Sequence, residues 1–437
     1  MSSTQTPQTH VMTTADASAV AAPPAAGSAD TSANTSSASN TNSISNTGGL
    51  SNTSRLSNPN NSVKPEGQVR RYDLASHWQL MWWKFRKHKM AMTGLIILAL
   101  MLVSSLLAEF LSPYDPLKRN SRYAEGAPMG IHFFDEAGDF HLRPFVYARS
   151  LKRDPVTLKR SAVVDTSKRW PIHFFVKGQK YTMLGLIESD IHLFGVVNEK
   201  GKASKKAFIH LLGTDELGRD MFSRILHSSR VSLSVGFIGV SVAFVLGMLL
   251  GGAAGYLGGW VDEAIMRMVE FIRAVPTLPL WLALAAALPR EWSALQVYIA
   301  ITFLLAIIGW THLARRVRGR LLSLREEDFV MAARLAGCSH SRIIARHMLP
   351  SFMSYLIVDL TISFPYIIMA ETSLSFLGLG LREPIISWGV LLNSAQNIQT
   401  LAQMPWLLLP GAVVVIAVLA FNFVGDGLRD AADPYTR

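Results

Sequence analysis

Six predominantly apolar stretches of about 20 residues or more, several of them with almost no charge, limit what this chain can fold into more than any other feature. They lie at about 91–111, 231–255, 266–288, 295–313, 352–378 and 405–424. A hydrocarbon core of roughly 30 Å takes about 20 apolar residues as a helix, so each stretch is long enough to span a bilayer. The chain is 49% hydrophobic and only 17% charged, where a soluble protein carries roughly a quarter charged residues. The expected fold is therefore an all-α polytopic membrane protein with six transmembrane helices. Pro113 ends the first span and PREWSA (289–294) turns the third. Gly and Ser in the second span let a neighbouring helix approach closely, which suits a bundle interior.

The segments between the spans set the topology. Residues 1–68 are rich in Ser, Thr, Asn and Ala, with Asp16, Asp30, Arg55 and Lys64 as the only charges before Glu66. Such a tract buries too little apolar surface to offset its ordering entropy and is expected to be a disordered tail. It also lacks the charged and apolar regions of a secretory signal. In 69–90, Trp78, Trp82 and Trp83 interleave with Lys84, Arg86, Lys87 and Lys89, the pattern of an interfacial segment on the cytoplasmic side. The run 112–228 is polar, with strand-like stretches IHFFDE, PIHFFVKG and IHLFGVV. Long loops translocate largely regardless of charge, so this run is expected to be a small β-containing periplasmic insert. Residues 315–346 carry eight arginines against three acids, whereas 289–294 has only Arg290 and 379–404 only Arg382. This asymmetry puts the arginine-rich loop, both termini and the tail 426–437 in the cytoplasm. The helical core is then 229–425, including the loop 315–350. The net charge of +11 follows this topology, so no nucleic-acid partner is expected. A single cysteine, Cys338, excludes an intramolecular disulfide and any CxxC site.

Within the arginine-rich loop, 324–350 reads LREEDFVMAARLAGCSHSRIIARHMLP. Glu326, Glu327 and Asp328 suit a helix amino end. Phe329, Met331, Ala332, Ala333, Leu335 and Ala336 continue the helix, and Gly337 stops it in a left-handed cap. A second short segment, Ser341 to Met348, leads to Pro350. Such a unit is either a docking element gripped by another protein or a surface hairpin that only joins two spans. Asp359 and Glu371 fall within the fifth span, where acids face a partner or an aqueous path. Twelve residues separate them, about 18 Å of rise and roughly 120° of rotation, so they form no common site. Glu371, with Thr372 and Ser373 beside it, is a candidate for a translocation path or for interhelical hydrogen bonding. His132, His141, His173, His192 and His210 in the insert show no metal-ligand spacing such as HxxxH, and no metal site is expected.

The sequence has no GxxxxGK[ST] and so no Walker-type ATPase of its own. It also lacks HExxH and GxSxG, the signatures of hydrolases. No repeated halves are visible, which weighs against a self-contained secondary transporter or channel.

Four segments together resemble one family. Met331-Ala332-Ala333, Gly337 and Leu349-Pro350 are similar to the EAA loop of ABC importer permeases, with Met331 in place of Glu and His347 in place of Ile. LLGTDELGRDMFSRILHSSRVSL (211–233), FLGLGL (376–381) and GDGLRDAADP (425–434) resemble the dipeptide/oligopeptide/nickel branch of those permeases. Within it the chain looks like the second of the two permease subunits. The resemblance spans about 75–437. It implies a non-catalytic subunit that moves peptides or related solutes by alternating access. The loop would be a coupling helix, with Glu327, Asp328, Phe329, Ala332, Ala333, Gly337 and Cys338 at its contact with an ATPase. Implied partners are a homologous permease, two ATPases that use ATP and Mg, an extracytoplasmic solute-binding protein and the bilayer of a bacterial inner membrane. In GTDELGRD, Gly213, Asp215, Gly218, Arg219 and Asp220 lie just before span two. They are read either as a structural cap, with Asp215, Glu216, Arg219 and Asp220 in a local salt-bridge network closing a short turn at Gly218, or as a contact to the delivery protein or outer gate. The substrate, whether dipeptide, oligopeptide, nickel complex or oligosaccharide, is not readable from the chain.

Overall fold

The computed structural model describes residues 76–153, 160–197 and 207–432, all within the unit Pro65–Arg437. The expected tail 1–68 and the last residues of 426–437 lie outside the described residues.

The helices are α1 (His77–Lys87), α2 (Lys89–Leu106), α3 (Ala108–Leu111), α4 (Met221–Leu257), α5 (Gly259–Ala274), α6 (Thr277–Ala286) and α7 (Ala294–Leu324). They continue with α8 (Asp328–Leu335), α9 (His340–Arg342), α10 (Leu349–Ser351), α11 (Met353–Phe376), α12 (Trp388–Asn393), α13 (Ile398–Gln403) and α14 (Leu409–Ala432). Five helical segments are long and apolar enough to cross a membrane: α2, α4, α7, α11, and α14 with the 3₁₀ turn before it. The third expected span, 266–288, is not one straight rod. It is the pair α5 and α6, bent by 85° at Val275-Pro276, because a proline ring and its missing N–H cannot continue the ladder. The first expected span, 91–111, is interrupted at Leu107, which separates α2 from α3. The expected tail from 426 is instead helical through Ala432.

Helix starts follow local chemistry. Ser76 with Gln79, and Ser293 with Gln296, form capping boxes on α1 and α7, each pairing a side chain with an orphan N–H at both ends of the turn. Asp220 caps α4. Close packing of α4 on α7 depends on glycine. A Cβ on Gly251 would lie 2.5 Å from the Ala314 carbonyl oxygen, and one on Gly255 2.8 Å from that of Arg318. The four-residue spacing Gly247, Gly251, Gly255 is the small-residue stripe that lets backbones touch.

The insert is a four-stranded antiparallel meander in the order β1-β2-β3-β4: β1 (His132–Phe134), β2 (Phe140–Arg153), β3 (Arg160–Met183) and β4 (Ile187–Val196). The three strand-like runs fall on β1, β3 and β4. β2 was not foreseen, because Pro144 and four Lys/Arg residues in FHLRPFVYARSLKR hide its alternation. The sheet stands on the bundle end where α2 finishes and α4 begins. There Tyr123, Met129, Val146, Ile172, Val196 and Ile209 share a core. The opposite end carries α8.

Candidate functional site

At the loop end, α8 is half core and half surface. Val330 and Ala333, three residues apart on one face, are buried against Leu321, Ile343, Met348, Phe352 and Leu356. The end of α4 adds Tyr256, whose hydroxyl lies 2.9 Å from Nδ1 of His340 and whose ring lies 5.4 Å beneath the Arg334 guanidinium. Gly337 has φ +75. Its N–H donates to the Arg334 carbonyl at 3.0 Å, and the Cys338 N–H donates to that of Ala333 at 3.1 Å. This is the Schellman closure that a left-handed glycine permits. The other face is bare: Leu335 is 88% exposed, Phe329 42% and Met331 47%. Glu327, Asp328 and Ala332 are exposed as well. Of the residues singled out from sequence, Glu327, Asp328, Phe329, Ala332 and Gly337 lie on this open surface. Ala333 faces inward and Cys338 is half-buried against the same core.

At the sheet end, the GTDELGRD segment is interior. Asp215 Oδ1 accepts the N–H groups of Leu217 at 3.0 Å and Arg219 at 2.8 Å, closing the turn at Gly218. Its other oxygen accepts Arg219 Nε at 2.6 Å and also meets Arg224. Both guanidinium groups reach Glu383, at 2.6 Å each. The burial of Glu383 would raise its carboxyl, but Arg219 and Arg224 outweigh this and hold it below the usual range. Asp220 caps α4 through Ser223 and contacts His210 Nδ1 at 2.9 Å. Gly213 and Gly218 both have positive φ, and a Cβ at Gly218 would strike the Asn120 carbonyl. Glu216 stands apart, accepting from Thr400. The sequence showed the local turn but not Arg224 or Glu383. Glu383 joins from 164 positions away, a distance no local pattern reveals.

The two acids of α11 behave differently. Glu371 is fully buried and accepts from Ser375 at 2.8 Å and from Ser232 of α4 at 3.3 Å. Ser232 in turn accepts the Trp388 N–H at 3.1 Å, so Glu371 ties α4, α11 and α12 together. Thr372 is buried beside it. Asp359 lines a cavity of about 190 Å³ between α4, α7 and α11, with His312, Arg316, Ser363 and Tyr366, and pairs with Arg316 Nη1 at 2.6 Å. Arg316 was counted in the sequence only as topology.

Among the histidines, His192 contacts the carbonyls of Ser112 and Gln179, and His141 contacts Asp135. Among the described residues no three His, Cys, Asp or Glu converge as a metal site.

Residues 243–437 match the family described as the binding-protein-dependent transport system inner membrane component. Residues 76–128 match the N-terminal TM domain of oligopeptide transport permease C. The dipeptide transport system permease of Alkalihalophilus pseudofirmus is 42% identical over 227 residues, 52% of this chain and 72% of that one. The oligopeptide transport permease of Bacillus subtilis is 37% identical over 229 residues, 52% and 72% of the two chains. The nickel transport permease of Escherichia coli is 40% identical over 228 residues, 52% and 79% of the two chains. Taken with the bundle and its half-bare loop helix, these matches show that the chain is a multi-pass inner-membrane protein and belongs to the ABC importer permeases of the dipeptide/oligopeptide/nickel family.

Proposed function

We propose that this chain forms one half of a two-permease channel that imports peptides or related small solutes, with α8 as the element through which ATPase subunits drive it. The observation that carries the reading is the bare apolar face of α8 (Phe329, Met331, Leu335) on a helix whose other face is fixed in the core. A flexible connector needs neither. Acids at its start, Glu327 and Asp328, suit basic groups on the partner, and the open surface at Ala332 and Gly337 lets that partner sit close. The chain itself performs no catalysis: ATP and Mg act in two partner ATPases, and closure of those subunits on ATP shifts the helices between two arrangements. The arginine-rich loop and both termini face the cytoplasm. The sheet faces outward, where a solute-binding protein delivers the cargo. The solute passes along the cavity at Asp359, while Glu371 and Thr372 hold the frame.

Co-expression with genes for a second permease, two ATPases and a binding protein of the same family tests the whole reading. The chain is expected to co-purify with a second permease and two ATPases, and reconstituted vesicles are expected to accumulate solute only with ATP and the binding protein. Solute transport by the chain alone, without ATP, would establish the secondary-transporter alternative instead. Mass spectrometry of the solute that co-purifies with the binding protein identifies the cargo.

A further inference from the structure

Most arginines paired with acids in the bundle are held at two points or more. Arg318 meets both oxygens of Asp262, and Arg230 both oxygens of Glu109. Arg219 and Arg224 each bridge Asp215 and Glu383. Bidentate engagement is what fixes a structural guanidinium. Arg316 differs. Its one ionic contact among the described residues is Nη1 to Asp359 Oδ1 at 2.6 Å, and its side chain is 44% exposed while that of Asp359 is 4% exposed. The guanidinium side of the pair is therefore the open one, and the acid is the buried one.

That opening has two sides. The 190 Å³ cavity lies toward the middle of the bundle, and a second of about 780 Å³ opens toward the α8 end. Both are lined by Arg316, Asp359 and Ile362, so the pair stands between them. Arg316 is also one of a series. His312, Arg316 and Arg320 recur every fourth residue on α7, which is about 6 Å of rise per step along one stripe. Each faces a side chain on the antiparallel α11. His312 lies 6.2 Å from the Tyr366 ring, Arg316 pairs with Asp359, and Arg320 lies 5.4 Å over Tyr355. The two guanidinium groups of the stripe, Arg320 over a ring face and Arg316 on a single carboxylate oxygen, keep the planar fork that suits an anion offering two oxygens.

We propose that this stripe is a carboxylate-binding track on the translocation route, with Arg316 as its central station, and that the cargo carries a free carboxylate. Asp359 occupies Arg316 when no cargo is present and is displaced by the cargo's carboxylate. This rests on the reading of the Asp359 cavity as the route. It narrows the cargo to carboxylate-bearing molecules such as peptides and disfavours neutral oligosaccharides.

The test needs no knowledge of the cargo. In the assembled importer, in nanodiscs of zwitterionic lipid, Ser363→Cys places a thiol in the inner cavity, and Ile362→Cys serves as a second position. Labelling by a sulfonate-bearing and by a trimethylammonium-bearing methanethiosulfonate is followed on this chain by mass spectrometry, each rate divided by that with a free thiol. The sulfonate is expected to react about tenfold faster or more, to lose that advantage with Arg316→Gln, and to gain further with Asp359→Asn. Equal rates, or preference for the ammonium reagent, would overturn the carboxylate track while leaving the route intact. No labelling at either position in any nucleotide state would overturn the route itself. An advantage that vanishes when anionic lipid is added to the nanodisc would assign the track to a lipid headgroup and overturn the cargo reading.

Discussion

Truncating Leu335 to alanine separates docking from folding more sharply than any other change on α8. The side chain is 88% exposed, so its loss removes almost nothing from the permease's own packing. The expected stability change is within about 0.5 kcal/mol, the range of ordinary surface substitutions. If the same side chain is buried by an ATPase subunit, the truncation forfeits about 1.5–3 kcal/mol of apolar transfer. At about 1.4 kcal/mol per factor of ten, the dissociation constant should rise by roughly 10- to 150-fold. Val330→Ala provides the contrast, because Val330 is fully buried beneath the helix. It should cost about 1–3 kcal/mol of stability through transfer and cavity terms and affect docking only through loosening. The assay titrates the ATPase subunit onto the permease pair immobilised in nanodiscs, with intrinsic-fluorescence melting run on the same samples. A Leu335→Ala permease that binds the ATPase within about twofold of wild type would refute the docking face, since even the smallest burial estimate exceeds that.

Two further expectations concern the loop and the clasp. Gly337→Arg should abolish uptake while leaving membrane insertion intact: its φ of +75 with open space around a Cβ limits the backbone strain to about 1–2 kcal/mol, but a charged side chain then blocks the seat. Undiminished coupled ATPase activity in a purified complex carrying that change would refute the docking role. Glu383→Gln should lower the melting temperature by leaving Arg219 and Arg224 short of charge, though by less than the roughly 3–5 kcal/mol of a fully buried pair, because the Glu383 side chain is 38% exposed. The carboxyl is held below its ordinary range, so its contribution is present above a pH of about 4.3 and is lost as the pH falls through the lower folded value. The difference between wild type and variant should then stay flat through neutral pH and narrow only in acid, and a difference that narrows near neutrality would sink this account.

Apolar length and arginine asymmetry are local properties, and they made the spans and the loop helix legible. Gly337 was legible for the same reason, since a helix that must end in a left-handed turn announces itself by its glycine. The bend in the third span was within reach, because Pro276 sits inside the expected span of 266–288. There, apolar length outweighed the proline signal. Contacts that join distant segments left no such trace. Glu383 completing the Asp215 network, and Ser232 meeting Glu371, depend on which helices pack side by side. Arg316 was hidden differently, because a run of arginines explains itself as topology and conceals the one that pairs with a buried acid on α11.

The packing also says where motion imposed on α8 must be absorbed. Val330 and Ala333 share one core with Tyr256 of α4, Leu321 of α7, and Phe352 and Leu356 at the start of α11. A push on α8 therefore moves those three helix ends together, and the glycine stripe prevents α4 from sliding off α7. The Asp262–Arg318 pair carries α5 along with them. At the other end, α11 is bolted by Glu371 to Ser232 and through it to Trp388. Between the driven half of α11 and its anchored half lies Pro365, which leaves the Thr361 carbonyl without its helical N–H and weakens the rod at that point. Ser363 and Tyr366, the residues that flank Pro365 on the cavity wall, are therefore where a rigid push becomes a local change of shape. The residues around Pro365 and the Arg316–Asp359 pair border the same cavity, so under the proposed docking of an ATPase on α8, its displacement would act first on the part of the bundle proposed to hold the cargo's charge.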